Sequence, residues 1–343
     1  MPTDDETTPQ PGSGALDGLL DRTEGDGRQA PRSRRVLRRW LIVLASLLSL
    51  LAVGAGALTF YGVQTLNTVK REPGLLPSDR PTVDPGTLVS QPINFLLLGS
   101  DSRGQDRGRS DVMMLVHSDP SRAKLYLISL PRDLWVPIPG HGTNKINAAY
   151  AFGGGPLAVR TVENLLGIEI DHVALTDFEG FFQLVDDVGG VTVFNEIPSS
   201  NQGFDFARGD IKLTGASALA YVRQRYGLPR GDFDRAERQR LVVKAIIDKV
   251  DSGQTLSNPA RLLAVVNRLS KSVTVDDTLT NARIIALVQE LQITSGQDIE
   301  QLQVPVAGFG RSSAGASYVK VDKAGIARLG EALSSGRMGT YRG

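Results

Sequence analysis

Aspartates and arginines stand where the short apolar runs of this chain end. Asp101 and Arg103 follow the run 93–98. Arg109 and Asp111 open the run that ends at Ser118, and Arg132 and Asp133 follow the run 124–130. In an open α/β sheet, ligands bind beyond the carboxyl ends of the strands. Two carboxylates beside several guanidinium groups suit a divalent cation together with a polyanion. Mg²⁺ takes one or two carboxylates and completes its six oxygens with phosphates and water. A single Asp in a turn is usually structural; recurrence at consecutive run ends gives the set its meaning.

A second concentration lies at 221–240, YVRQRYGLPRGDFDRAERQR, with six arginines, no lysine and three acids (Asp232, Asp234, Glu237). At about 100° per residue a helix starting near 234 can be laid out as a wheel with Arg235 at the origin. Gln239 falls at about 40°, Val242 at about 340°, Ile246 at about 20° and Val243 at about 80°, so Arg235 and Gln239 continue the apolar stripe. Arg238, at about 300°, borders it. Glu237, Arg240, Lys244 and Asp248, between about 140° and about 220°, form the expected wet face. An inward arginine needs a partner, either a protein carboxylate or a ligand phosphate. Arginine also grips phosphate in a planar, two-point manner that lysine cannot reproduce. Asp232 and Asp234 suit the start of a helix, where the dipole favours acids.

The elements that must position these groups are legible as alternation. Apolar runs at 93–98, 111–118, 124–130, 172–178 and 191–194 read as strands. Helical patterns cover 155–167 and 178–190, then about 214–225, 234–250, 257–271 and 279–291, with a late strand at 302–306. Strands alternating with helices imply an α/β layered domain.

The chain has 343 residues, Lys+Arg 38 against Asp+Glu 37, and no cysteine. Near-neutral charge argues against a nucleic-acid binder. The lack of cysteine removes disulfides, thiolate metal sites and a cysteine nucleophile. The three histidines are far apart in sequence, which disfavours a histidine metal site. Residues 1–31 hold seven acids and two bases and read as disordered; RSRRVLRR follows with five arginines. Residues 40–63 contain no charge, and 24 helical residues reach about 36 Å, enough for a hydrocarbon core of about 30 Å. The arginines before this stretch put the N-terminus in the cytoplasm and the rest outside. The expected organisation is a cytoplasmic tail (1–39), a transmembrane helix (40–63), a proline-rich extracellular linker (64–92), a catalytic domain (93–335) and a loose C-terminal tail (336–343).

Several segments in order resemble the LytR–CpsA–Psr (LCP) family of cell-wall ligases: NFLLLGSDSR (94–103), RSDVMMLV (109–116), ISLPRDLWVPIPG (128–140), KINAAYAFGGG (145–155), FEGFFQLVDDVGGVTV (178–193), LTGASALAYVRQR (213–225) and GDFDRAERQR (231–240). The resemblance implies a central mixed sheet surrounded by helices, with a hydrophobic tunnel for a lipid tail. It implies a phosphotransferase that moves a glycopolymer phosphate from a polyprenyl pyrophosphate carrier to peptidoglycan. Asp101 and Asp111 would then hold Mg²⁺ (or Mn²⁺). Arg103, Arg109, Arg132, Arg223, Arg225 and Arg235 would contact the pyrophosphate with Gln239, and with Arg238 at the margin. Asp101, Asp111, Arg132, Arg223, Arg225 and Asp232 form the implied catalytic set. The attacking hydroxyl needs a base, for which Asp111 and Asp232 are both candidates. Phe178, Phe181, Phe182, Leu184 and Val185, with Val242 and Ile246, would line the tunnel or form ordinary core.

Two other readings use the same residues. A pyrophosphatase or lipid-binding protein would need the same anion site without transfer. A transcriptional regulator fits poorly, since no helix-turn-helix with a basic stripe is visible. Teichoic acid, arabinogalactan and capsule all remain open as the polymer.

Overall fold

The run NFLLLG offers no polar alternate residue, and a strand with that pattern must be covered on both faces. The computed structural model describes residues 67–80, 91–100, 110–251, 273–290 and 296–342. In chain order its elements begin with β1 (Lys70–Glu72), β2 (Ile93–Ser100), β3 (Ser110–Ser118), β4 (Leu125–Ser129), β5 (Trp135–Ile138), β6 (Gly142–Lys145), α1 (Asn147–Leu166) and β7 (His172–Asp177). They continue with α2 (Phe178–Asp187), β8 (Val191–Asn195), β9 (Ser199–Asn201), β10 (Phe204–Phe206), β11 (Gly209–Leu213), α3 (Gly215–Arg223), α4 (Asp232–Asp251) and β12 (Val273–Asp276). The last are α5 (Asn281–Glu290), β13 (Ile299–Gln303), β14 (Val306–Arg311), β15 (Ser317–Val321) and α6 (Lys323–Ser334).

Seven strands form a mixed sheet in the order β1-β12-β7-β2-β3-β4-β13. β2 runs parallel to β7 and antiparallel to β3, and β4 runs parallel to β13. Alternate residues sort to opposite faces, as the strand period of two requires. Leu96, Leu98, Met113, Leu115, Tyr126 and Ile128 join α1 and α6 in the main core. Leu97, Met114, Val116, Leu125 and Leu127 meet Val243 and Ile247 of α4 on the other face. A further core joins α2, β8, β11 and α3 to Val242 and Ile246.

Two expected boundaries change. The linker expected over 64–92 is partly built into the fold. β1 pairs in parallel with β12, and Leu75 and Leu76 are buried in the main core. Gly155 makes this possible: a Cβ there would lie 2.6 Å from the Leu75 carbonyl oxygen. Arg80 then ties the segment to α1 through Glu163 and to the Ile170 carbonyl. The expected tail at 336–343 is also anchored, with Met338 buried in the main core and Tyr341 packed against it. The proline content concealed the leucine pair, and one buried methionine is too little signal to read.

The late strand expected at 302–306 divides into β13 and β14 around Val304 and Pro305. The helix over 155–167 is the second half of α1, which kinks at Gly153 and Gly154. The disordered tail, the transmembrane helix at 40–63 and the helix at 257–271 lie outside the described residues. Among the described residues no helix is long and apolar enough to cross a membrane.

His117 of β3 is fully enclosed. Asn94 Nδ2 donates to the Glu169 carbonyl, which turns Oδ1 toward His117 Nδ1 at 2.8 Å. Nδ1 therefore carries the proton of a neutral ring. Burial pushes its pKa down to about 4. An unfolded histidine titrates near 6.5, so below that pH the unfolded chain takes up a proton the folded chain refuses. Stability should fall by about 3 kcal/mol as pH drops from about 6.5 to about 4 and stay lost below that. Urea unfolding across this window should show His117→Gln losing that much less than the unchanged protein.

Candidate phosphate-binding site

The turn between α3 and α4 is held by acids and amides of its own. Asp234 accepts from the Arg230 backbone N–H at 2.7 Å and from Arg230 Nε at 2.6 Å, while Glu237 takes the other side of that guanidinium. Gln224 Nε2 donates to the carbonyls of Ser200 and Tyr226. This fixes the start of α4 and with it Asp232, in the first helical turn where the dipole favours an acid.

Asp232 Oδ1 then gathers three arginines from three segments. Arg235 Nη2 lies at 2.8 Å, Arg225 Nε at 3.3 Å and Arg132 Nε at 3.5 Å. Arg132 follows β4, Arg225 lies in the turn after α3 and Arg235 is one turn into α4. Three guanidinium groups from three segments meet at one carboxylate oxygen, a donor set whose geometry suits an oxyanion. Arg235 is buried and Arg225 is 38% exposed along its side chain, so the cluster has a closed floor and an open lip.

The strand ends complete the setting. Ser100 of β2 pairs with Ser110 of β3, and the Leu130 N–H donates to the Met113 carbonyl just before Arg132. Asp111 lies in β3, though its side chain is outside the described residues, as are Asp101, Arg103 and Arg109. Arg223 ends α3 half-buried. The structure thus brings Arg132, Arg225, Asp232 and Arg235 together. Among the described residues no group of three or more His, Asp or Glu could hold a metal ion.

Arg238 serves a different place. It is buried, and its guanidinium donates to Gln224 Oε1 at 2.7 Å, Ser199 Oγ at 2.8 Å and the Ile197 carbonyl at 3.1 Å. It also lies 4.2 Å from the centre of the Tyr221 ring. Gln239 is buried too, with Nε2 at 3.4 Å from the Val222 carbonyl. The expected wet face of α4 needs correcting at Arg240. That residue is 8% exposed, donates to Ser129 Oγ at 2.5 Å and has its pKa lowered to about 10 by burial. The helix is covered on two sides, by the sheet at Val243 and Ile247 and by the β8–β11 layer at Val242 and Ile246. Its buried arc therefore reaches the Arg240 position. Leu184, Val185, Val242 and Ile246, candidates for a tunnel lining, pack into one another as core. The side chains of Phe178, Phe181 and Phe182 lie outside the described residues.

The architecture is an α/β layered domain with a guanidinium cluster gathered at the start of α4. The chain matches the LytR_cpsA_psr family over residues 62–335 and belongs to that family. It is 38% identical over 246 residues to a polyisoprenyl-teichoic acid–peptidoglycan teichoic acid transferase, TagU, of Bacillus cereus, covering 71% of this chain and 81% of the relative. The TagU of Enterococcus faecalis is 37% identical over 297 residues, 84% of this chain and 93% of the relative. Among solved structures, TagV of B. subtilis superposes with a TM-score of 0.64 at 29% identity, covering 72% of this chain and 98% of that one. A TagT structure bound to LI-WTA gives 0.61 at 29% identity, covering 78% and 98%. These relatives place the chain among transferase enzymes.

The two kinds of arginine should separate by stability. Arg238→Met removes a buried guanidinium bonded to Gln224, Ser199 and the Ile197 carbonyl and should cost about 3 kcal/mol or more in urea unfolding. Arg225→Ala, at the open lip, should cost less than about 1 kcal/mol.

Proposed function

We propose that the protein is a membrane-anchored phosphotransferase. It moves a glycopolymer phosphate from a polyprenyl pyrophosphate carrier to a hydroxyl of peptidoglycan, outside the cell. The observation that carries this reading is the convergence of Arg132, Arg225 and Arg235 on Asp232 Oδ1. A diphosphate has the charge and the oxygen geometry that guanidinium groups grip. The named activity of the TagU relatives supports transfer to peptidoglycan. The uncharged stretch at 40–63 supports a single anchoring helix with the N-terminus in the cytoplasm.

In this reading the acceptor oxygen attacks the phosphorus nearer the glycan. The bridging P–O bond breaks, and prenyl monophosphate leaves with the electron pair. Phosphoryl transfer depends mainly on alignment and on stabilising charge at the transferring and leaving groups. Arg132, Arg225 and Arg235 supply both from fixed positions. Asp232 has Oδ1 committed to three guanidinium groups, so it acts as their organiser. Arg223, at the end of α3, and the 101–109 segment with Arg103 and Arg109 would extend the grip.

Asp101 and Asp111 suit a divalent ion as a donor set. In sequence each follows one member of the Ser100–Ser110 pair. When bound, Mg²⁺ would neutralise the phosphate oxygens. The proton of the attacking hydroxyl passes to a carboxylate of the site.

Detergent-solubilised full-length protein, given a prenyl-pyrophosphate-linked glycan and peptidoglycan, should attach the glycan and release prenyl monophosphate. Arg132→Ala and Arg225→Ala should each lower kcat/KM by at least about a hundredfold, roughly 3 kcal/mol. Asp101→Ala and chelation should abolish turnover. Transfer at the unchanged rate by Asp101→Ala and Arg223→Ala would refute the site. Release of phosphoglycan regardless of acceptor would convert the reading to hydrolysis.

A further inference from the structure

The dipeptide Arg132–Asp133 faces two ways. Arg132 turns its side chain to Asp232, whereas Asp133 turns its own to Lys145 of β6 at 2.8 Å. The Arg132 carbonyl accepts from the Asn147 N–H at the start of α1, and the Asp133 carbonyl accepts from the Val319 N–H of β15. Beyond the dipeptide lies a cleft of about 730 Å³ between the β5–β6 hairpin, the start of α1 and the β14–β15 hairpin.

The walls of the cleft have a consistent chemistry. Trp135 stacks on Tyr318 with ring centres 4.5 Å apart and planes 20° apart. Tyr318 can lie flat because Gly310 is beneath it: a Cβ there would sit 2.5 Å from Tyr318 Cζ. On the α1 side Phe152, 46% exposed, lines the cleft and stacks on His141 at 4.7 Å. Between the aromatic plates stand Asn144, Lys145, Arg311, Ser312 and Ser313. A second cleft of about 640 Å³ shares Trp135 and Thr143 with it. Phe309 of β14 reaches back to Phe233, the residue after Asp232, with ring centres 5.6 Å apart. The cleft is thereby fastened to the phosphate cluster at two points.

We propose that this cleft is the acceptor subsite and seats a peptidoglycan strand, an amino-sugar glycan carrying carboxylated peptide stems. The proposal rests on the transfer reading above and adds to it where the acceptor lies. Flat aromatic faces suit the apolar faces of pyranose rings, and a few amide, hydroxyl and cationic groups fix orientation. Lys145 is already matched by Asp133, which leaves Arg311 as the exposed cation of the lining. That charge suits scattered carboxylates better than a chain of phosphates. Two clefts that share Trp135 and Thr143 give an extended ligand room for more than one sugar.

The chain has two tryptophans, Trp40 and Trp135, so Trp40→Phe leaves Trp135 as the only reporter. In full-length W40F protein, soluble peptidoglycan oligosaccharides should change tryptophan emission saturably. Adding Arg311→Glu or Gly310→Ala should weaken that binding at least tenfold. With the lipid-linked donor held fixed, the same two substitutions in the transfer assay should raise the acceptor KM at least tenfold. Donor KM should stay as it was in both, and the thermal unfolding midpoint should stay as it was in the Arg311→Glu protein. An emission change with the donor glycan but not with peptidoglycan would overturn the assignment, as would an unaltered acceptor KM in both variants. Saturable binding in a protein that transfers nothing would leave this subsite standing and remove the transfer reading instead.

Discussion

One carboxylate oxygen holds three guanidinium groups, and most of the architecture around it can be understood as making that arrangement tolerable. Like charges a few ångströms apart repel, and burial strengthens the repulsion. Asp232 offsets part of it, provided the carboxylate cannot move. The N-terminus of α4 supplies a favourable dipole, and the Arg230–Asp234–Glu237 network pins the turn just before it. Arg132 must come from another element, so the end of β4 has to be registered against α4. Arg240 makes that registration directly, through Ser129 at the last position of β4.

Arg238 belongs to the same logic from below. Its guanidinium joins Gln224 of the turn to Ile197 and Ser199 of the loop and strand after β8, and it lies against Tyr221 of α3. Asn195 closes the network by accepting from Tyr221 and donating to the Phe206 and Ala207 carbonyls. α3, α4 and the turn between them are thus one bonded body. In the proposed reading, an anion at Arg225 and Arg235 would meet groups already in place, which would spare the ordering cost of binding.

Much of this was legible as pattern. The strands of the central sheet announced themselves as apolar runs, since burial on both faces leaves no room for polar residues. Helical spacing put Arg235 and Gln239 on the inward side of α4, where they are buried. The same wheel misjudged Arg240, because it assumed one covered face and the helix has two. It could not name the partners of the arginines: Arg235 meets Asp232, whereas Arg238 meets Gln224, Ser199 and the Ile197 carbonyl. The hairpins β5–β6 and β14–β15 escaped notice because GTNK and SYVKV are short and polar. Their partners come from distant sequence, and Leu134 bridges to Val319 across most of the domain.

That difference in legibility follows from a difference in construction. The phosphate cluster is assembled from buried elements whose geometry is fixed by packing against the sheet. Altering it means disturbing Val243, Ile247 and the core they join. The aromatic cleft is assembled from hairpins that send Val136, Ile138 and Val319 into the main core and keep Trp135, Arg311 and Tyr318 outside it. Trp135, Phe152, Arg311 and Tyr318 can change while the sheet and α4 stay as they are. The Arg132–Asp133 dipeptide is where the two constructions meet, with one side chain committed to each. In the proposed reading, the transfer chemistry and the acceptor surface would therefore be separable within one fold.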